Sequence, residues 1–129
     1  MTETLEESAN GKEWHWQNVQ KDLVIQGGLG EKELKIDSLV RKHGCSGEYN
    51  GNQFHITWLP DVLLLVTCKE YDEKLIDAFS KVVEYKPFVR YQEPDGRITV
   101  EWDRIHPNKR YEEILGDGKR DITPLKFNN

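Results

Sequence analysis

The feature that most constrains the fold is the apolar segment at residues 54–68, FHITWLPDVLLLVTC. Its first half alternates apolar and polar side chains at the period of two that is typical of a strand. After Pro60 and Asp61, residues 62–66 are apolar without interruption, which predicts a central strand buried on both faces. Such a strand needs cover from other elements, so this segment predicts a layered domain of helices packed on a sheet.

The composition agrees with one folded domain. The chain has 129 residues, 36% of them hydrophobic, and its four Trp, five Tyr and four Phe are more aromatic side chains than a disordered chain would carry. It has no apolar stretch long enough to cross a bilayer, and its first residues are acidic where a secretory signal would be basic and then apolar. We therefore expect a cytoplasmic or nuclear protein with reduced cysteines and no membrane partner.

The net charge bears on the class of partner. Nucleic acids bind largely through basic side chains that replace counterions on the phosphates, whereas this chain carries a net charge of −5. The charge favours a protein partner, predicts no DNA partner and leaves RNA possible only through a local basic patch.

Three regions are distinguished by composition. Residues 1–13 are acidic and lack periodicity, which predicts a disordered tail. Residues 14–106 contain the periodic segments and are predicted to form a single domain. Residues 107–129 are polar and punctuated by glycine, which predicts an irregular C-terminal tail.

Periodicity and turn residues predict the elements of the domain. The predicted strands cover residues 14–19, 23–26, 47–59 with a turn at Asn50-Gly51, 62–68, 88–93 and 97–102. The predicted helices cover residues 31–43 and 71–84. This order is that of an α+β, ferredoxin-like βαββαβ sandwich: an antiparallel sheet with two helices on one face, an extra N-terminal strand and a C-terminal hairpin.

Two segments in this order resemble the RNA recognition motif. Residues 23–29, LVIQGGL, resemble its first-strand signature, and residues 61–68 occupy the place of its third-strand signature. The stretch ITWLPD at residues 56–61, followed by the apolar residues 64–66, is similar to the degenerate RRM-like domain of poly(A)-specific ribonucleases. The resemblance covers residues 21–102 and implies an RRM-like fold.

The chain departs from this family at the positions that bind RNA. The family stacks bases on aromatic side chains of its first and third strands, and the corresponding residues here are Val24, Leu63 and Leu65. An apolar sheet surface without aromatic side chains is more typical of contact with a helix or another protein. We therefore expect a non-enzymatic binding module that contacts a protein through these three residues.

A different set of residues is the candidate for a non-standard RNA or cap site. Trp58 and Trp102 are candidates to stack a base, with Arg90 and Arg97 to supply positive charge. The alternative is that these strand aromatics fill the core. A third interpretation, from the acidic charge and small size, is an inhibitor or immunity-type protein that covers a basic enzyme.

No motif in the sequence indicates catalysis, a metal or a cofactor. His43-Gly44-Cys45 lacks the spacing of a zinc site, and the glycines at residues 27–30 lack both the dinucleotide-binding order and a Walker lysine. The carboxylates lie in stretches that read as solvated surface. We therefore predict no catalytic residue, no metal and no cofactor.

Overall fold

A computed structural model describes residues 18–37, 43–59 and 62–123, and within them the fold is α+β. The helices are α1 (Val19–Ile25), α2 (Glu73–Val83) and α3 (Pro107–Gly116). The strands are β1 (Leu34–Ile36), β2 (Gly44–Tyr49), β3 (Asn52–Leu59), β4 (Leu63–Cys68), β5 (Val89–Gln92), β6 (Ile98–Asp103) and β7 (Arg120–Asp121).

The described strands form one antiparallel sheet in the order β1-β2-β3-β4-β6-β5-β7. The turn between β2 and β3 is the predicted Asn50-Gly51, where both residues have positive φ, 52° and 82°, as a type I′ hairpin requires. Gly96, with φ 96°, lies in the turn between β5 and β6. Short connections therefore build most of the sheet as a meander.

One face of the sheet, which we call the helix face, packs against α1 and α2 to form the main core. Helix α2 begins after Asp72, whose side chain accepts hydrogen bonds from two amides of the first turn. Its buried Phe79 packs edge-on to Phe54, with ring centroids 6.0 Å apart, and lies 6.1 Å from the ring of Trp102. The predicted helix at residues 71–84 and the predicted strands at residues 62–68 and 97–102 are confirmed.

Strand β4 is central in the sheet as predicted, but it is fully buried on one face only. Leu64 and Val66 point into the main core, whereas Leu63 and Leu65, on the other face, are half-buried. An unbroken apolar run therefore marked a strand with one covered face and one partly open face.

The N-terminal part of the fold differs from the predicted order, because residues 23–25 form the end of helix α1 and Gln26 caps it. Asn18 caps α1 by accepting a hydrogen bond from the amide of Lys21, and Val19 and Leu23, one turn apart, are buried. The predicted strand at residues 23–26 is therefore wrong. After this helix, Gly27 approaches α2 so closely that an added Cβ would lie 2.9 Å from Cβ of Ala78.

Residues 31–43 also differ from the prediction, here because a strand stands where a helix was expected. They were predicted to be a helix, but Leu34–Ile36 forms edge strand β1, paired with β2 so that Leu34 lies opposite Tyr49. Leu34 is fully buried and Lys35 is exposed, which is the period of two of a strand. Residues 38–42 lie outside the described residues, as do residues 1–17, which include the predicted tail and most of the predicted N-terminal strand.

The segment after residue 106 was predicted to be irregular, but it contains α3 and β7 up to the end of the described residues. Pro107 stands at the first position of α3, where its fixed φ and missing N–H are tolerated. Ile114 of α3 packs with Val89 and Tyr91 in a second, smaller core cluster. Residues 107–123 therefore belong to the same domain as the rest of the sheet.

Candidate functional site

We define the α3 face of the sheet as the face opposite α1 and α2. Strand pairing aligns its side chains in rows, and one row joins Ser46, His55, Thr67 and Thr99. Helix α3 covers the β5 and β6 end of this face, where its Arg110 contacts Glu101. No described element covers the rest of the face, over β2, β3 and β4.

This part of the α3 face contains a polar groove of about 400 Å³, within the size range of small-ligand sites. The groove is lined by side chains of both charges and by neutral hydrogen-bonding groups: Asp37, Ser46, Glu48, Gln53, His55, Thr67, Lys69 and Arg97. Ser46 Oγ and His55 Nδ1 are 2.8 Å apart, so the hydroxyl holds the imidazole across two strands. This arrangement suits binding of a polar, charged ligand.

A second hydrogen-bond chain borders the groove on the side of β6. The hydroxyl of Thr99 lies 2.9 Å from that of Thr67 and donates to Glu93 Oε2 at 2.6 Å. Arg97 Nε donates to Asp95 Oδ2 at 2.8 Å, which orients its guanidinium. These bonds hold the polar side chains of the groove in defined positions.

Next to the groove lies an apolar strip, which we define as Leu59, Leu63 and Leu65. Leu59 and Leu63 are directly paired across β3 and β4 on the α3 face. Leu59 is 48% exposed, and Leu63 and Leu65 are half-buried. The strip leaves apolar surface in water, which a protein partner would bury with a gain in free energy.

A buried ion pair anchors α3 beside this strip. Glu101 has no exposed surface, and Arg110 binds it with both Nε and Nη2, at 2.8 and 3.1 Å. Oε2 of Glu101 also accepts a hydrogen bond from the Tyr91 hydroxyl. Burial and this bond to Glu101 raise the pKa of Tyr91, so the phenol keeps its proton and donates.

Both tryptophans that were candidates to stack a base are core residues. Trp58 and Trp102 are 5% and 0% exposed and lie in one row with Leu64 on the helix face. Trp102 Nε1 donates to the Ser80 hydroxyl of α2 at 3.2 Å. Since neither ring face is accessible, the stacking role predicted for this pair is wrong for the folded protein, and the core alternative is correct.

The two candidate arginines lie on opposite sides of the sheet. Arg90 pairs with Val100, which places it on the helix face, where its Nε donates to the Tyr71 hydroxyl at 3.4 Å. Arg97 lines the polar groove. The structure therefore does not bring Trp58, Arg90, Arg97 and Trp102 together into one site.

The predicted interaction residues are also divided. Leu63 and Leu65 both belong to the apolar strip, two residues apart on β4. Val24 lies on α1 and packs partly against the main core. Two of the three residues thus share a surface, and Val24 lies on the other side of the sheet because its segment is helical.

Sequence reasoning missed the polar groove and the Glu101–Arg110 pair. The available signal for Glu101 was its place between Val100 and Trp102 in a short strand that is apolar on its other face. The pairing of Ser46 with His55 follows from the Asn50-Gly51 turn, because a two-residue hairpin sets the register of its strands. Arg110 had no such signal, since its helix was not predicted.

The described residues contain no group of three or more His, Cys, Asp or Glu side chains that could hold a metal ion. Burial and a nearby carboxylate raise the pKa of Cys45 to about 11 and that of Cys68 to about 12, so both thiols are protonated and unreactive at neutral pH. Within residues 18–37, 43–59 and 62–123, no helix has the length and apolar character needed to cross a membrane.

Comparison of the chain with protein-family models, with curated proteins and with solved structures gave no match. Function is therefore inferred from the geometry of the α3 face.

Proposed function

We propose that this protein is a non-enzymatic binding module that contacts another protein through the α3 face. The observation that carries the proposal is the apolar strip of Leu59, Leu63 and Leu65, which lies beside the polar groove. Apolar surface bordered by hydrogen-bonding and charged groups is the usual composition of a protein interface.

Two further features support this use of the surface. RNA-binding sheets expose aromatic side chains for stacking, whereas the two described tryptophans, Trp58 and Trp102, are in the core. The net charge of −5 favours association with a protein, and would speed encounter with a basic one. RNA binding by an RRM-like surface therefore has less support than protein binding.

Site-specific photocrosslinking tests the proposal. A benzophenone amino acid replaces Thr57, which is exposed on the α3 face between the groove and the strip, in protein expressed in its natural cells. The matched control carries the same group at Asp77, an exposed position of α2 on the opposite side. We expect a defined protein adduct from position 57, absent from position 77, and lost in a Leu59→Glu variant.

Leu59 is 48% exposed, so Leu59→Glu should leave the folded state intact, which a thermal unfolding curve would verify. Equal adducts from positions 57 and 77, or adducts that survive Leu59→Glu, would contradict the proposal. Adducts from position 57 that nuclease removes would replace it with RNA binding.

A further inference from the structure

The acidic and basic side chains of the polar groove lie at opposite ends of it, along the direction that crosses the strands. Asp37 and Glu48 lie at its β1 and β2 end, and Lys69 and Arg97 lie at its β4 and β6 end. Between them are the uncharged groups of Ser46 and Thr67 and the imidazole of His55. A ligand that crosses the strands along this groove therefore meets acidic groups at one end and basic groups at the other.

The register fixes the distance between the two ends. Glu48 pairs with Gln53, the amide of Lys69 donates to the carbonyl of Gln53, and Arg97 precedes β6, the next strand. Glu48 and Arg97 are thus three strand spacings apart, or about 14 Å at about 4.8 Å a spacing. An extended peptide rises about 3.4 Å a residue, so side chains four residues apart lie on the same side at about the same separation.

We propose that the polar groove binds an extended segment of the partner protein in which a basic and an acidic side chain are four residues apart. The basic side chain of the segment lies against Asp37 and Glu48, and the acidic one against Lys69 and Arg97. The hydroxyls of the groove and His55 Nε2 offer hydrogen bonds to the peptide groups between them. This inference rests on the proposed protein-binding function and specifies the chemistry of the segment that is bound.

Neighbouring charges moderate both ends. At the basic end Asp95 and Glu93 equal Lys69 and Arg97 in number, so the attraction of a carboxylate there rests on the positions of the two basic side chains. Lys35 is the cross-strand partner of Glu48, at the outer edge of the sheet. Asp95 binds Nε of Arg97, and the guanidinium has two further nitrogens with which to meet a carboxylate. Glu93 accepts from Thr99 on the same side of the groove.

An amide-resolved NMR titration with capped peptides tests the inference. The probe is acetyl-Lys-Ala-Ala-Ala-Glu-amide, and two control peptides replace its Lys or its Glu by Gln. We expect saturable shifts at the groove residues with a dissociation constant on the order of 1 mM. Each control peptide should bind at least about threefold more weakly, as expected for loss of a partly exposed ion pair.

Variants of the protein then assign each end of the peptide. Glu48→Gln should weaken binding of the probe about threefold, and leave binding of the peptide without Lys unchanged. Lys69→Gln should also weaken binding of the probe about threefold, and should leave binding of the peptide without Glu unchanged. Lys74→Gln, an exposed lysine on α2, is the matched control and should have no effect.

The inference would be overturned if Glu48→Gln affected recognition of the peptide's Glu, or Lys69→Gln that of its Lys. Shifts outside the α3 face, or no shift up to about 10 mM peptide, would also overturn it. Its failure is distinguishable from failure of the proposed function. A Leu59-dependent crosslink without peptide binding would retain the function and reject the charged segment.

Discussion

The buried ion pair that holds α3 on the sheet gives the strongest stability prediction. Arg110→Ala leaves the Glu101 carboxylate, with no exposed surface, to a single hydroxyl donor from Tyr91. Removing one partner of a buried pair costs about 3 to 5 kcal/mol, because the remaining charge is uncompensated. The side chain of Arg110 is itself 29% exposed, so water replaces part of its effect and we expect about 3 kcal/mol.

Urea unfolding, followed by tryptophan fluorescence, measures this loss. At about 4 °C for each kcal/mol, the same change lowers the melting temperature by about 12 °C. The triple variant Glu101→Met, Arg110→Met and Tyr91→Phe removes both charges and the hydroxyl that donates to Glu101, and it keeps apolar volume, so it should recover most of the lost stability. A loss below about 0.5 kcal/mol in Arg110→Ala would refute the reasoning, since a change that small is typical of a surface residue.

Two further predictions concern the core. Trp102→Ala removes a fully buried indole that contacts Phe79, so it should lower the free energy of unfolding in urea by about 3 to 5 kcal/mol. The control Thr57→Ala, at an exposed position, should lower it by less than about 0.5 kcal/mol. Equal losses in the two variants would show that the indole is not part of the core. Burial raises the pKa of the Cys68 thiol to about 12 in the folded protein, against about 8.5 in the unfolded chain. The contribution of this thiol to the free energy of unfolding is therefore complete below about pH 8.5 and is lost as the pH rises from about 8.5 to about 12. Iodoacetamide at pH 8 should therefore label Cys68 only in denaturant, and labelling of the native protein, read by mass spectrometry, would contradict this.

The elements that could be predicted from sequence are those with a local signal and a matching tertiary environment. Asn50-Gly51 sets a hairpin because both residues tolerate positive φ, and the strands on either side follow from it. Helix α2 combines an Asp72 cap with an apolar face of three- and four-residue spacing, so local and tertiary preferences agree.

The elements that were mispredicted have ambiguous signals. The β-branched Val24 and Ile25 favour a strand, but the Asn18 cap and the packing of Leu23 make the segment helical. Gly27 suits the end of either element. Position 36 fits a helical spacing with residues 39, 40 and 43, yet pairing of β1 with β2 decides its structure.

The candidate site was predicted only in part, for the same reason. Leu63 and Leu65 were assigned to an interaction surface because their strand was recognised, and both lie in the apolar strip. Burial of Trp58 and Trp102 depends on which face of the strand meets α2, and the tryptophan side chain alone does not show this. The charges of the polar groove come from β2 itself and from positions next to β1, β4 and β6, which only the sheet order brings together.

Among the described residues, a short segment at 120–123 closes the outer edge of β5. Strand β7 pairs with Tyr91 and Gln92 only, and beyond it the Thr123 hydroxyl accepts from the amide of Arg90 and donates to its carbonyl. The amide of Ile122 also donates to the carbonyl of Arg90, so backbone and side chain together close the edge at this point. During synthesis, β5 and β6 emerge before this closing segment, so the nascent sheet has an edge open to pairing with other chains until residue 123 has been made and docked.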